Sequence, residues 1–185
     1  MKEQKSGGEK TNREQRAKVT GDTFKLKIYP DSALKMQSAD VEHFDENLAA
    51  FVKKMRDTME AYDGIGLAAP QVGVLKKIAV VEYENVLYVL INPKLISQEG
   101  VQEGDEGCLS FPGIYASVKR PLRVSISTRD TNGEERTYDA DGVLARAFLH
   151  EMDHLEGRLF IEHLSNLKRG MIRKKMYKRA VGNDD

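Results

Sequence analysis

Apolar residues along the chain recur with two periods, and the two are confined to different stretches. From about Asp45 to Tyr62 they fall at Leu48, Phe51, Val52, Met55, Met59 and Tyr62. That spacing predicts a core helix, with Gly64 placed to end it. The next stretches, KKIAVVEY and NVLYVLINPKLI, are rich in β-branched residues and meet at Glu84-Asn85, a pair suited to a tight turn. PLRVSIST and EERTYDA, separated by TNG, predict a further hairpin. Helical spacing returns in DGVLARAFLHEMDHLEG, where Asp141 is a plausible N-cap and Gly157 a plausible stop. A last helix is expected from about Ser165 to Ala180. The first 22 residues, MKEQKSGGEKTNREQRAKVTGD, have almost no large apolar side chain and predict a flexible tail ahead of one folded unit over 23–185.

A chain of 185 residues suffices for one domain with a real core. Lys and Arg together balance Asp and Glu, 29 against 29, so no overall field favours nucleic acid or a membrane surface. No run is long and apolar enough to span a bilayer, and the N-terminus has no signal-peptide core. A cytoplasmic protein is therefore expected, with an organellar location left open. The lone cysteine, Cys108, has no partner for an internal disulfide and is free for other chemistry.

HEMDHLEG, residues 150–157, carries the strongest chemical signal. On a helix, His150 and His154 lie four positions apart on one face, with Val143, Ala147 and Glu151 beside them, and can grip a single ion. A catalytic zinc-like site needs a third protein ligand and an open fourth position. An HExxHxxGxxH extension would put His at 160, where the chain has Phe160. Glu162 and His163 lie beyond the expected helix stop. Cys108, in the glycine-punctuated segment GDEGCLSFPG between strands, is the leading candidate.

With these residues in view, GIGLAAPQ at 64–71, EGCLS at 106–110 and HEMDHLEG at 150–157 resemble, in order and spacing, the three motifs of the peptide deformylases. The resemblance runs from KIYPD near residue 27 through the final helix. It implies an α+β fold, with antiparallel and mixed strands around a central HExxH helix and a C-terminal helix. It implies Cys108, His150 and His154 as metal ligands. Fe2+ is the implied working ion, one per chain, and Zn2+, Ni2+ or Co2+ can substitute. It also implies Glu151 as general acid/base, the Gln71 side chain and the Leu109 N–H as donors to developing charge, and Gly66 as a backbone partner for an extended peptide. Gly64 lets the backbone approach closely, and Ile65, Val143 and Ala147 are candidates to line an apolar pocket for methionine.

The implied reaction is removal of the N-formyl group from N-formyl-L-methionyl nascent peptides, with release of formate, by a monomer. An HExxH endopeptidase and a ribosome-binding module with a structural metal are the competing readings. Residue 160 and the cysteine count against the first, and the lack of a clear fourth ligand against the second. The last helix carries Lys168, Arg169, Arg173, Lys174, Lys175, Lys178 and Arg179 and no acid. Those cations are expected either to form a solvated face or to dock on RNA, and the resemblance implies the ribosome as that surface.

Overall fold

Antiparallel strands and three α-helices organise the chain in a computed structural model that describes residues 22–182. The expected tail lies outside the described residues except for Asp22, which pairs with Lys54. Helix α1, Glu46–Ala61, opens where the Asp45 carboxylate accepts the Leu48 N–H at 2.9 Å, a side-chain N-cap. It buries the stripe Leu48, Val52, Met55 and Met59. Its end differs from expectation: Tyr62 is the C-cap and Asp63, not Gly64, takes the left-handed conformation at φ 55°. Gly64 then folds back, its N–H donating to the Met59 carbonyl.

Strands β1 (Gly66–Ala68), β2 (Ile78–Tyr83) and β3 (Val86–Glu99) follow, with Glu84 and Asn85 both at positive φ in the turn between the last two. β4 (Gln102–Gly107) and β5 (Tyr115–Arg120) form a separate hairpin, and β6 (Arg123–Arg129) and β7 (Glu135–Asp141) complete the large sheet in the order β1-β2-β3-β6-β7. Every strand pair is antiparallel; parallel pairing among the described residues is limited to one isolated bridge, Ala39 with Lys76. β3 outruns the expected strand by Ser97–Glu99, which pair with Ser125, Val124 and Arg123 of β6, and a register shift between Ile91 and Lys94 accommodates Pro93. Asn92, at φ 51°, clasps both the N–H and the carbonyl of Val41 there.

Helix α2, Gly142–Leu155, lies against the sheet with Ala145, Ala147, Phe148 and Leu155 in one apolar cluster with Ala68, Ala79, Leu90 and Ile126. Asp141 is its N-cap by position but its side chain makes no capping bond. Gly157 stops it at φ 69°, with a Cβ there 2.7 Å from the Lys35 carbonyl oxygen, so both conformation and space require glycine. Helix α3, Asn166–Ala180, is capped by Ser165 and anchored by buried Met176 and by Arg179, which donates to the Pro112 carbonyl at 2.7 Å.

Candidate metal centre

Three segments converge at the C-terminal half of α2. One is the helix itself with His150 and His154. The second is the turn leaving β4, which carries Cys108. The third is the stretch Gly64–Gln71, in which β1 runs into a short 3-10 turn at Ala69–Val72. One ligand atom each from Cys108, His150 and His154 lie within 4.8 Å of one another, the histidines buried and the cysteine half-buried. Cys108 Sγ is 3.3 Å from His154 Nε2. Glu106 Oε2 lies 3.0 Å from His150 Nδ1, which leaves Nε2 for a ligand role.

The titratable groups around this point differ in charge. Burial and the charge of His150 push His154 down to about 3, so this imidazole is neutral, the form that ligates. Burial would raise the Glu106 carboxyl, but hydrogen bonds from His150 and Arg120 outweigh it and hold it at about 2. Burial likewise opposes protonation of His150, yet its bonds to Cys108 and Glu106 raise it well above the ordinary imidazole value. Glu151 stands apart: burial pushes its carboxyl up to about 7, the His150 charge pulling the other way. Its Oε2 is buried with no hydrogen-bond partner among the described residues. One sulfur and two imidazole nitrogens at a point, beside a carboxyl poised near neutrality, fit a divalent transition metal.

The remaining candidates fall into place around this point with two different characters. Gln71 accepts the Ala68 N–H at 2.8 Å and turns its Nε2 toward Ser110 Oγ at 3.2 Å and Cys108 Sγ at 3.5 Å. A Cβ on Gly64 would stand 2.7 Å from the Leu109 side chain, and one on Gly66 would overlap Glu151 Oε1. Gly64, Gly66, Gln71, Leu109 and Glu151 are thus brought together. Ile65 and Val143 are half-exposed, whereas Ala147 is 5% exposed within the core cluster and has only its methyl to offer a pocket. A Gly66→Ala variant is expected to displace Glu151 and lower kcat about 100-fold while keeping its metal, read by paired activity and metal analysis.

Glu106, Arg120, Asp153, Arg146 and Ser110 join the site without a signature of their own in the sequence. Glu106 sits within EGCLS, two residues before Cys108, and that proximity was the one local signal. Arg120 grips it bidentately, Nε to Oε1 at 2.8 Å and Nη2 to Oε2 at 3.0 Å, and gives Nη1 to Asp153 at 2.6 Å. Asp153 also meets His163 Nε2 at 2.8 Å. No periodicity announces that ladder.

A half-buried thiol and two buried imidazoles on one point, with a carboxyl beside them, define a metallohydrolase-type centre. The family model for polypeptide deformylase matches residues 23–170. Peptide deformylases of Pseudoalteromonas translucida and Thermodesulfovibrio yellowstonii are 43% and 45% identical over 85% and 82% of this chain and 96% and 95% of their own. A crystal structure of a peptide deformylase from Legionella pneumophila superposes with a TM-score of 0.81 at 38% identity, covering 88% of this chain and 99% of that one. One from Synechococcus elongatus, in complex with actinonin, gives 0.81 at 39% identity, over 86% and 88%. The chain belongs to the polypeptide deformylase family.

Proposed function

We propose that this protein hydrolyses the formamide of N-formyl-L-methionyl nascent peptides, yielding formate and a free N-terminal amine. The observation that carries the reading is the convergence of Cys108, His150 and His154 with the buried Glu151 beside Gly66. Cys108, His150 and His154 would hold a divalent metal, whose Lewis acidity would lower the pKa of water toward neutrality and polarise a carbonyl. Glu151 accepts a proton from the attacking water and delivers it to the amine nitrogen as the C–N bond breaks, a task its raised pKa suits. The Gln71 side-chain amide and the Leu109 N–H donate to the formyl oxygen as negative charge builds on it.

Gly66 offers its backbone to an extended peptide, with Gly64 allowing the approach. Ile65, Val143 and the Ala147 methyl line the pocket for the methionine side chain, an unbranched group that adapts to such walls.

Fe2+ is the working metal in this reading. The soft thiolate and two imidazoles accept iron, zinc, cobalt or nickel, so residues alone do not select among them. The test is to strip the protein anaerobically with a chelator and reload it with each ion. Formate release from a formyl-Met peptide is expected to vanish on stripping and return most fully with Fe2+. Equal activity before and after complete stripping would overturn the metal assignment.

In this reading the enzyme works in the cytoplasm or an organelle, wherever formylated chains emerge, with α3 docking on the ribosome. Lys168, Lys174, Lys175 and Lys178 are exposed on that helix while Met176 and Arg179 fix it to the body. Binding to ribosomes is expected to fall steeply between about 50 and 200 mM salt. Reversing Lys174, Lys175 and Lys178 to Glu should abolish binding without changing turnover of a free peptide. Salt-independent binding would leave these cations as a solvated face.

A further inference from the structure

Arg146 stands on α2 one turn before His150, and no step of the reaction above uses it. Its side chain is nonetheless only 11% exposed, an unfavourable place for a charge that is not fully paired. One nitrogen, Nη1, meets three acceptors: the Gly104 carbonyl oxygen at 3.1 Å, the Val118 carbonyl oxygen at 2.9 Å and Glu106 Oε1 at 3.0 Å. Gly104 and Glu106 belong to β4 and Val118 to β5, so one side chain ties the helix to both strands of the hairpin. The guanidinium also packs closely over Gly104, where a Cβ would stand 3.3 Å from Arg146 Nη2.

The carboxylate that Arg146 reaches is the one that holds His150. Glu106 meets His150 Nδ1 through Oε2 and Arg146 through Oε1, while Arg120 closes on both oxygens from the hairpin side. Arg120 also bonds Asp153, the neighbour of His154 in sequence. Two buried guanidinium groups thus face two buried carboxylates, and Arg146 supplies the second cation. Cys108 follows Glu106 by two residues on the same hairpin, so whatever seats that hairpin on α2 also seats the sulfur against the histidines.

We propose that Arg146 is a positioning residue for the metal centre, docking the β4–β5 hairpin on α2 and fixing Glu106 so that His150 and Cys108 converge. The inference rests on Cys108, His150 and His154 being the ligands. The probe is Co2+, titrated into the full chain against a competing chelator, with the thiolate-to-cobalt charge-transfer absorption reporting Cys108. Relative to wild type, Arg146→Met is expected to bind Co2+ about 10–100-fold more weakly, with a diminished thiolate band. Arg146→Lys should recover part of the loss, because an ammonium has three donors for the three acceptors.

An Arg146→Met protein with wild-type cobalt affinity and band, even at a lower Tm, would show a purely structural role and overturn the inference. If Met at this position prevents folding, Arg146→Gln replaces it with the same two outcomes. A wild-type chain that binds Co2+ without a thiolate band would overturn the ligand assignment itself, a result distinct from failure of the variants alone.

Discussion

Replacing Glu151 by Gln is expected to leave metal content unchanged and to lower kcat for formate release by about 10²–10⁴-fold. The amide preserves size and is not one of the three ligand atoms, so the fold and the centre persist. What it removes is the ability to take a proton from water and return it to the departing amine, a contribution of that order in general acid–base catalysis. Two observations support this carboxyl for the proposed task. It is buried against Gly66, where no side chain intervenes, and burial brings its pKa to about 7. Paired measurement of metal stoichiometry and steady-state kinetics checks the prediction. A Glu151→Gln enzyme that retains both metal and full turnover would remove Glu151 from the chemistry.

Gln71→Glu is expected to reduce kcat by about 10²–10³-fold, the scale of losing one preorganised donor to a developing oxyanion. Glu still accepts the Ala68 N–H that orients this side chain, so the short 3-10 turn keeps its geometry. The amide donor, however, becomes an anion beside Cys108 Sγ and Ser110. KM should change little, because the lost interaction strengthens only as charge builds. A rise in KM with kcat preserved would make Gln71 a ground-state binding residue instead.

Which parts of this arrangement the sequence announced follows from the range of the interactions involved. His150, Glu151 and His154 were legible because four-residue spacing inside a helical pattern is a local geometric statement. The β2–β3 and β6–β7 hairpins were legible from runs of β-branched residues and from Glu84-Asn85 and TNG at the turns. The β4–β5 hairpin was not. Its strand QEGDEG has neither β-branched residues nor alternation, and what seats it is the set of ion pairs from Arg120 and Arg146.

Those pairs depend on a register that sets Gln102 opposite Arg120 and on a helix met 40 residues later. No local pattern pairs Arg120 with Glu106 14 residues away or Arg146 with Glu106 40 residues away. The same applies at the end of α1, where Gly64 promised the stop but Asp63 took the left-handed conformation, leaving Gly64 free to pass close to Leu109. The irregularity beside Pro93, within a strand that was expected, depends in turn on Asn92 finding the Val41 backbone 51 residues away.

The most direct measurement is formate release from a formyl-Met tripeptide by anaerobically prepared, Fe2+-loaded protein, run beside the acetyl-Met analogue and a peptide blocked at both ends. Rapid formate release from the formyl peptide alone, with the acetyl peptide and all internal amide bonds intact, is the expected result. Absence of formate from a preparation carrying one ferrous ion per chain would contradict the proposed activity, and cleavage of internal bonds would make this centre that of an endopeptidase.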